Sequence, residues 1–244
     1  MNLRVMTFNI QHGEDHVQML KGEPPALNFQ QVADVIRRFQ PDIIGLNEVR
    51  DRGAAADYRE QTKIIADLLG YEHYYFAKAI DFGGDGPYGN AIISRFPMRA
   101  ARPVHIPDPQ FRTTDGYYET RCVLKAEFDV PARFDVLIAH FGLNPSEHRN
   151  AVATVMELLE TRGAPVVFMG DLNMTPDNPA LAPLFSAMND TGALLPPGAK
   201  SFPSEAPTEK IDYIFATREF HVDGADIPQI VASDHCPYVA DLTL

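Results

Sequence analysis

Short apolar runs that each stop at an Asp, Asn, Glu or His constrain the fold of this chain most strongly. The clearest run is 165–169, which opens with Pro and is followed by Gly170-Asp171-Leu172-Asn173. This pattern predicts a buried strand that ends at Gly170. Because residues i and i+2 of an extended chain point the same way, we expect Asp171 and Asn173 to point into one crevice. The alternative is a turn, since Asp and Asn side chains readily bond their own backbone.

The same pattern recurs at five other strand ends. The polar residues concerned are Asn9, Glu48, His140, Asp212 and the pair Asp234-His235, next to apolar runs 3–8, 43–46, 136–139, 213–215 and 238–242. A single case is ordinary turn chemistry, but six in one chain are hard to explain in that way. Ligand sites tend to form at strand ends, so we expect these side chains to share one site.

Strands outnumber helices in the predicted secondary structure. Helices are predicted from Asn28 to the residue before Pro41, over 58–69 with Gly70 as C-cap, and from Asn144 to Gly163. Further strands are predicted over 73–79, 89–94, 98–106, 118–129, 134–140, 211–216, 220–226 and 237–243. Few intervening helices favour two packed sheets over one doubly wound sheet. The length of 244 residues, with no linker, predicts a single domain over 1–244.

Composition narrows the classes of partner and compartment. The chain carries 33 acidic and 21 basic residues, for a net charge of −12. That balance argues against sequence-independent binding of nucleic acid, which depends on Lys and Arg, and suits a site that concentrates a divalent cation. No segment reaches the roughly 18 apolar residues of a membrane helix. Two cysteines and the absence of signal-peptide features at the N-terminus predict a cytoplasmic protein.

Taken together, the motifs resemble the endonuclease/exonuclease/phosphatase superfamily, which includes deoxyribonucleases, abasic-site endonucleases, neutral sphingomyelinases and inositol polyphosphate 5-phosphatases. The matching segments occur in the family's order and are Thr7-Phe8-Asn9-Ile10-Gln11, Gly45-Leu46-Asn47-Glu48, 88–95, Ala139-His140-Phe141, Gly170-Asp171-Leu172-Asn173, 211–215 and Ser233-Asp234-His235. The resemblance implies an α/β fold, namely a four-layer α/β/β/α sandwich of two packed, mainly antiparallel sheets. It also implies hydrolysis of a phosphoester with Mg²⁺ or Mn²⁺.

The resemblance assigns a metal site to Glu48, with Asn9 and Asp234 completing the ligand shell. Hard divalent cations prefer such carboxylate and amide oxygens. A carboxylate at a buried strand end is costly unless it binds a metal or is paired, so the alternative for Glu48 is a salt bridge to Arg50 or Arg52. Whether one metal or two are bound, and whether the ion is Mg²⁺ or Mn²⁺, stays open.

The remaining site residues are assigned to phosphate binding and proton transfer. Asp212 is expected to hold His235 in one tautomer, and either His235 or Asp171 then takes the proton of the attacking water. The resemblance places His140 and Asn173 on phosphoryl oxygens, and Arg121 on the phosphate. A solvated histidine is the alternative for His140. A surface ion pair with Glu119 is the alternative for Arg121.

Three functions are compatible with these residues. The first is a phosphodiesterase or phosphatase on a small, nucleotide-like or lipid-headgroup substrate. The second is a DNA or RNA endonuclease, which the net charge disfavours, although loop 108–121 with Arg112 and Tyr118 offers basic and stacking groups. The third is a non-catalytic binder of a phosphate ligand, which the simultaneous presence of all the site residues disfavours. The oligomeric state cannot be read from the sequence.

Overall fold

Two six-stranded sheets form the centre of the computed structural model, which describes residues 1–24, 26–112 and 116–244. The strands are β1 (Asn2–Asn9), β2 (Ile43–Arg50), β3 (His73–Asp81), β4 (Pro87–Ser94), β5 (Ala100–His105), β6 (Cys122–Phe128), β7 (Phe134–His140), β8 (Val166–Asp171), β9 (Asn189–Asp190), β10 (Asp212–Ala216), β11 (His221–Asp226) and β12 (Tyr238–Thr243). The helices are α1 (His16–Leu20), α2 (Phe29–Phe39), α3 (Gln61–Leu69), α4 (Pro145–Glu160) and α5 (Ala182–Ala187).

The two sheets share one arrangement. The first has the order β11-β12-β1-β2-β4-β3 and the second the order β5-β6-β7-β8-β10-β9. Each has one parallel pair, β1 with β2 and β7 with β8; helices α1 and α2 lie in the connection of the first pair and α4 in that of the second. The other neighbouring pairs are antiparallel. The predicted pair of mainly antiparallel sheets is therefore confirmed.

Three apolar cores separate four layers. The central core lies between the sheets and includes Val5 and Ile92 of the first sheet with Ile138 and Ile214 of the second. A second core packs α2 and α3 on the outer face of the first sheet. The third packs α4 and α5 on the outer face of the second sheet. Alternate strand residues face opposite sides, so each sheet is buried on both faces, and the α/β/β/α sandwich is confirmed.

Helix ends follow the local capping chemistry. The Asn28 side chain accepts a hydrogen bond from the backbone N–H of Gln31 at 3.1 Å, which starts α2 as predicted. Asn144 and Glu147 form the capping box that starts α4. Gly70 ends α3 in the left-handed conformation. None of the described helices is both long and apolar enough to cross a membrane.

Several predicted boundaries are wrong, each for a local reason. The predicted strand 118–129 begins only at Cys122, because the backbone N–H of Glu119 bonds the Glu147 side chain instead of a neighbouring strand. Strand β2 continues past Glu48 to Arg50 through a bulge. Helices α1 and α5, and strand β9, are too short to give a periodic signal and were not predicted. Part of the predicted loop 108–121, residues 113–115, lies outside the described residues.

Candidate active site

Strand register brings the polar strand ends to one edge of the two sheets. In the second sheet, Asp171 of β8 is paired with His140 of the parallel strand β7 and with Asp212 of the antiparallel strand β10. In the first sheet, Asn9 of β1 is paired with Asn47 of β2, one residue before Glu48. The residues therefore meet because the parallel strands end at the same edge, where β10 begins. The predicted convergence of the strand ends is confirmed.

Asp171 lies at the centre of this cluster and is 1% exposed. Its Oδ2 accepts a hydrogen bond from Asn9 Nδ2 at 3.1 Å and lies 3.5 Å from the Nε2 atoms of both His140 and His235. Burial raises the pKa of Asp171 to about 7, because desolvation disfavours the charged carboxylate and His235 offsets only part of that effect. An Asp with a pKa near neutrality is suited to accept a proton.

The backbone after Asp171 does not stay extended. Gly170 has φ 146°, and a Cβ at this position would lie 1.8 Å from the carbonyl oxygen of Ala139, so only glycine fits. Asn173 adopts φ 50°, and its backbone N–H donates to Asp171 Oδ1 at 2.9 Å. The expectation that Asp171 and Asn173 point the same way along an extended chain is therefore wrong. The turn that was the alternative is present, and it places Asn173 Nδ2 on the Phe141 carbonyl at 3.0 Å.

Asp212 and His235 form a buried pair, as predicted. His235 Nδ1 donates to Asp212 Oδ2 at 2.8 Å, while the other imidazole nitrogen faces Asp171. Burial alone would lower the pKa of His235, but the charges of Asp212 and Asp171 outweigh burial and raise it to about 10. Ligand atoms of Asp171, Asp212 and His235 all lie within 4.8 Å of one another, which makes this trio a second place where a cation could bind.

His140 has different surroundings. Its Nδ1 lies 2.8 Å from Nη1 of Arg121, which also pairs with Glu119 Oε1 at 2.9 Å. Burial, followed by the Arg121 charge, holds the pKa of His140 well below its usual range. Arg121 and Glu119 are each 8% exposed. The ion pair with Glu119, which was the alternative for Arg121, is thus present, but it is buried and contacts the site through His140.

Glu48 sits on the opposite side of the cluster, at the bulge in β2, with φ 58°. Its Oε1 accepts from Asn9 Nδ2 at 3.1 Å, and its Oε2 lies 3.5 Å from His12 Nε2. The alternative salt bridges are absent among the described residues, because Arg50 pairs with Asp57 and Arg52 with Glu60.

Asp234 completes this side of the site. Its closest polar partner is the neighbouring Ser233 hydroxyl at 3.1 Å. Burial raises the pKa of Asp234, and the Glu48 charge adds to that effect despite an opposing influence of His235. Glu48 and Asp234 influence each other electrostatically, and neither has a Lys or Arg partner in the described part of the chain. Two such carboxylates fit a hard divalent cation. Asn9 Oδ1 accepts from the Gln11 backbone N–H at 3.1 Å, beside this pair.

Two residues of the site were missed by the sequence analysis. His12 had no recognisable motif, yet its Nδ1 lies 3.2 Å from the Glu48 carbonyl. Asn47 is fully buried and bridges the sheets: its Oδ1 accepts from the Asp171 backbone N–H at 3.0 Å, and its Nδ2 donates to Asn90 Oδ1 and to the Ala139 carbonyl. The signal for Asn47 was available, since a polar side chain inside an apolar run needs internal partners.

Comparisons with known proteins agree with this geometry. The sequence model that describes the endonuclease/exonuclease/phosphatase family matches residues 6–235 of this chain. Exodeoxyribonuclease III of Haemophilus influenzae is 24% identical over 162 residues, which cover 61% of this chain and 53% of that protein, so the match spans about half of its length.

Solved structures have the same fold. An endonuclease/exonuclease/phosphatase from Beutenbergia cavernae superimposes with a TM-score of 0.77 and 26% identity, over 100% of this chain and 72% of that one. The mannosyl-6-phosphatase of Bacteroides thetaiotaomicron superimposes with a TM-score of 0.78 and 18% identity, over 99% of this chain and 100% of that one.

Proposed function

This chain belongs to the endonuclease/exonuclease/phosphatase family, and we propose that it is a divalent-metal-dependent phosphoester hydrolase acting on a small, nucleotide-like or lipid-headgroup phosphoester. The observation that carries the proposal is Asp171. This buried carboxylate, whose pKa is about 7, is surrounded by Asn9, His140 and His235 at the edge where both sheets end.

We assign the metal to Glu48, Asp234 and Asn9. These residues supply carboxylate and amide oxygens, and the two carboxylates have no Lys or Arg partner among the described residues. Mg²⁺ or Mn²⁺ bound there would neutralise charge on the phosphoryl oxygens and the leaving oxygen.

The other side chains supply proton transfer and hydrogen bonds. Asp171 or His235 takes the proton of the water that attacks the phosphorus in line with the leaving oxygen, and Asp212 fixes the orientation of His235. His140 and Asn173 donate hydrogen bonds to phosphoryl oxygens, where negative charge increases in the transition state. These donors are preorganised, because other protein groups already hold both side chains.

A small substrate is favoured over a long polyanion by the charge distribution. Among the described residues, eleven of the 21 Lys and Arg side chains pair with a carboxylate: Arg4, Arg37, Arg50, Arg52, Lys63, Lys78, Arg95, Arg99, Arg121, Lys125 and Arg162. Ion-paired cations contribute little to phosphate binding, because they are already neutralised. Cys122 and Cys236 are buried and not joined in a disulfide, which supports a cytoplasmic location.

The second candidate function is an endonuclease. It is favoured by the similarity to an exodeoxyribonuclease III and by Arg112, whose Cζ lies 5.1 Å from the centroid of the Tyr118 ring. A base could stack on such an aromatic group.

Hydrolysis assays separate these functions. Bis-p-nitrophenyl phosphate, p-nitrophenyl phosphate and supercoiled plasmid are each incubated with Mg²⁺, with Mn²⁺ or with EDTA, using wild type and Asp171→Ala. The proposal expects metal-dependent cleavage of a small ester that is lost in the variant, with little plasmid nicking. Efficient nicking that the variant abolishes would instead establish the endonuclease. No hydrolysis of any ester would leave only a phosphate binder and contradict the proposal.

A further inference from the structure

We propose that Arg121 is a positioning residue that holds His140 as the neutral tautomer with its proton on Nε2, so that His140 can only donate a hydrogen bond into the site. This inference rests on the proposed function, because the receiving atom is assigned as a phosphoryl oxygen. It replaces the direct phosphate contact that the sequence suggested for Arg121.

The tautomer follows from the chemistry of the two partners. Arg121 Nη1 lies 2.8 Å from His140 Nδ1, and both side chains are buried. A guanidinium has five N–H donors and no acceptor, so His140 Nδ1 must accept with its lone pair. A neutral imidazole that accepts at Nδ1 carries its proton on Nε2. That nitrogen faces Asp171 Oδ2 at 3.5 Å, which is an acceptor, so the two ends of the ring are matched to their neighbours.

Arg121 is held in place by protein groups. Glu119 Oε1 lies 2.9 Å from Arg121 Nη1, and the Tyr117 hydroxyl donates to Glu119 Oε2 at 3.0 Å. The backbone N–H of Glu119 donates to Glu147 Oε1 at 3.2 Å, which ties this chain of contacts to the start of α4. The ring of Tyr88 covers the guanidinium with 6.0 Å between its centroid and the Arg121 Cζ. Arg121 as a whole is 8% exposed, so little of its guanidinium is available to a substrate.

The consequence is a division of roles between the two histidines. His235 lies between two carboxylates, Asp212 and Asp171, which favour a proton on both ring nitrogens. His140 has a carboxylate at one nitrogen and a fixed cation at the other, so it has no lone pair directed toward Asp171. His140 therefore cannot take the proton of the attacking water. A neutral donor at His140 resembles the donors of an oxyanion hole, which act by hydrogen bonding and without changing their protonation.

Imidazole NMR tests the tautomer directly and needs no substrate. Nitrogen-15 spectra of the full chain are recorded for wild type, with His140→Asn to identify the His140 signals. We expect an unprotonated Nδ1 and a protonated Nε2 in wild type and in Arg121→Lys, because lysine is also only a donor. Arg121→Met should give a mixture of tautomers. The matched control is Arg162→Met, which removes an exposed Arg–Glu pair and should leave the His140 signals unchanged. A protonated Nδ1 in wild type would overturn the proposal.

A kinetic double-mutant cycle tests whether Arg121 acts through His140. With bis-p-nitrophenyl phosphate, Arg121→Met and His140→Ala should each lower kcat by about 10²-fold, as expected for loss of one oriented donor. The double variant should be no worse than His140→Ala, and Arg121→Lys should recover part of the loss. Additive losses, or a rise in KM with kcat unchanged, would show direct substrate contact by Arg121 and contradict the positioning role.

The two tests separate failure of this inference from failure of the proposed function. If no phosphoester is hydrolysed but the NMR result holds, the tautomer stands and the proposed function fails. If hydrolysis holds and His140 keeps its tautomer in Arg121→Met, the inference fails alone. Should Arg121→Met not fold, Arg121→Gln replaces it, because an amide offers an acceptor as well as donors and no longer forces His140 Nδ1 to accept, so a mixture of tautomers is again expected.

Discussion

The two sheets have the same arrangement of strands, but they present their carboxylates in different ways. The first sheet carries Glu48, whose side chain is 21% exposed and has no Lys or Arg partner among the described residues. The second carries Asp171 and Asp212, whose side chains are 2% and 1% exposed and hydrogen-bonded. Because an accessible carboxylate can bind a cation and a buried one has an altered affinity for protons, burial divides the chemistry between the sheets.

The backbone explains this difference. Glu48 lies at a bulge in β2 with φ 58°, and bulges redirect side chains at sheet edges. In β8 the corresponding feature is Gly170, just before Asp171, where the missing side chain lets the backbone approach Ala139 closely. One topology thus gives two kinds of site through a local irregularity in one strand of each sheet.

The largest effect is expected from Asp171→Asn, which changes only a buried carboxylate of the second sheet. The amide cannot take up a proton, so kcat should fall by about 10⁴-fold, the upper end for a lost general base. Steady-state hydrolysis of bis-p-nitrophenyl phosphate measures the loss, with circular dichroism as the test of folding. A loss of only a few-fold in a folded variant would remove Asp171 from proton transfer.

Asp212→Asn tests the partner of His235 in the same sheet as Asp171. The amide oxygen can still accept from Nδ1, but the charge that favours the imidazolium is gone, so kcat should fall by about 10²-fold. The same assay across pH 5 to 10 measures this effect. Unchanged activity at every pH would show that the Asp212–His235 pair is structural.

Asn47→Ala tests the connection between the two sheets. It leaves the Asp171 backbone N–H and the Ala139 carbonyl without their partner, and each unsatisfied buried group costs about 1–3 kcal/mol. The free energy of unfolding should therefore fall by at least that amount in urea titrations. Asn28→Ala, which removes the cap of α2 and a hydrogen bond to Asp15 Oδ2, should cost less, about 1–2 kcal/mol. Equal losses in the two variants would contradict the bridging role.

The smallest effect is a pH dependence of stability from His235, measured in EDTA. Its pKa is raised from an ordinary 6.5 to about 10, so its stabilising contribution is complete below about 6.5. That contribution is lost as the pH rises through about 10. The difference in unfolding free energy between wild type and His235→Gln should therefore shrink between pH 6.5 and 10. A difference that grows with pH would mean that His235 is neutral in the folded protein.

Much of the fold and most of the site could be predicted from the sequence. Each strand end carries its own signal, as in Gly170-Asp171-Leu172-Asn173, and the apolar runs locate the strands. The roles assigned to Glu48, Asn9 and Asp234 as metal ligands, and to His140 and Asn173 as phosphate donors, stay predictions. The structure does show that all of these residues lie in one cluster or directly beside it.

Other features depended on contacts that hydrophobic periodicity does not reveal. Asn173 was expected to continue an extended chain, but it is left-handed, and its backbone N–H donates to Asp171 two residues earlier. The pair of Arg121 with Glu119 was an alternative from the sequence, but its burial was not predicted, because Tyr88 of β4 lies against the guanidinium. His12 reaches Glu48 only because a short turn follows β1. The first contact is a local turn, and the contacts of Tyr88 and Glu48 are tertiary.

The division of chemistry between the sheets is tested most directly by Mn²⁺ binding, measured by isothermal titration calorimetry and by electron paramagnetic resonance of the ion. The variants are Glu48→Gln and Asp171→Asn, compared with wild type. We expect Glu48→Gln to weaken binding by about tenfold or more, because affinity follows the number of charged ligands, and Asp171→Asn to bind nearly as wild type does. Loss of binding in Asp171→Asn with full binding in Glu48→Gln would place the ion at the buried trio of Asp171, Asp212 and His235, and would contradict the account.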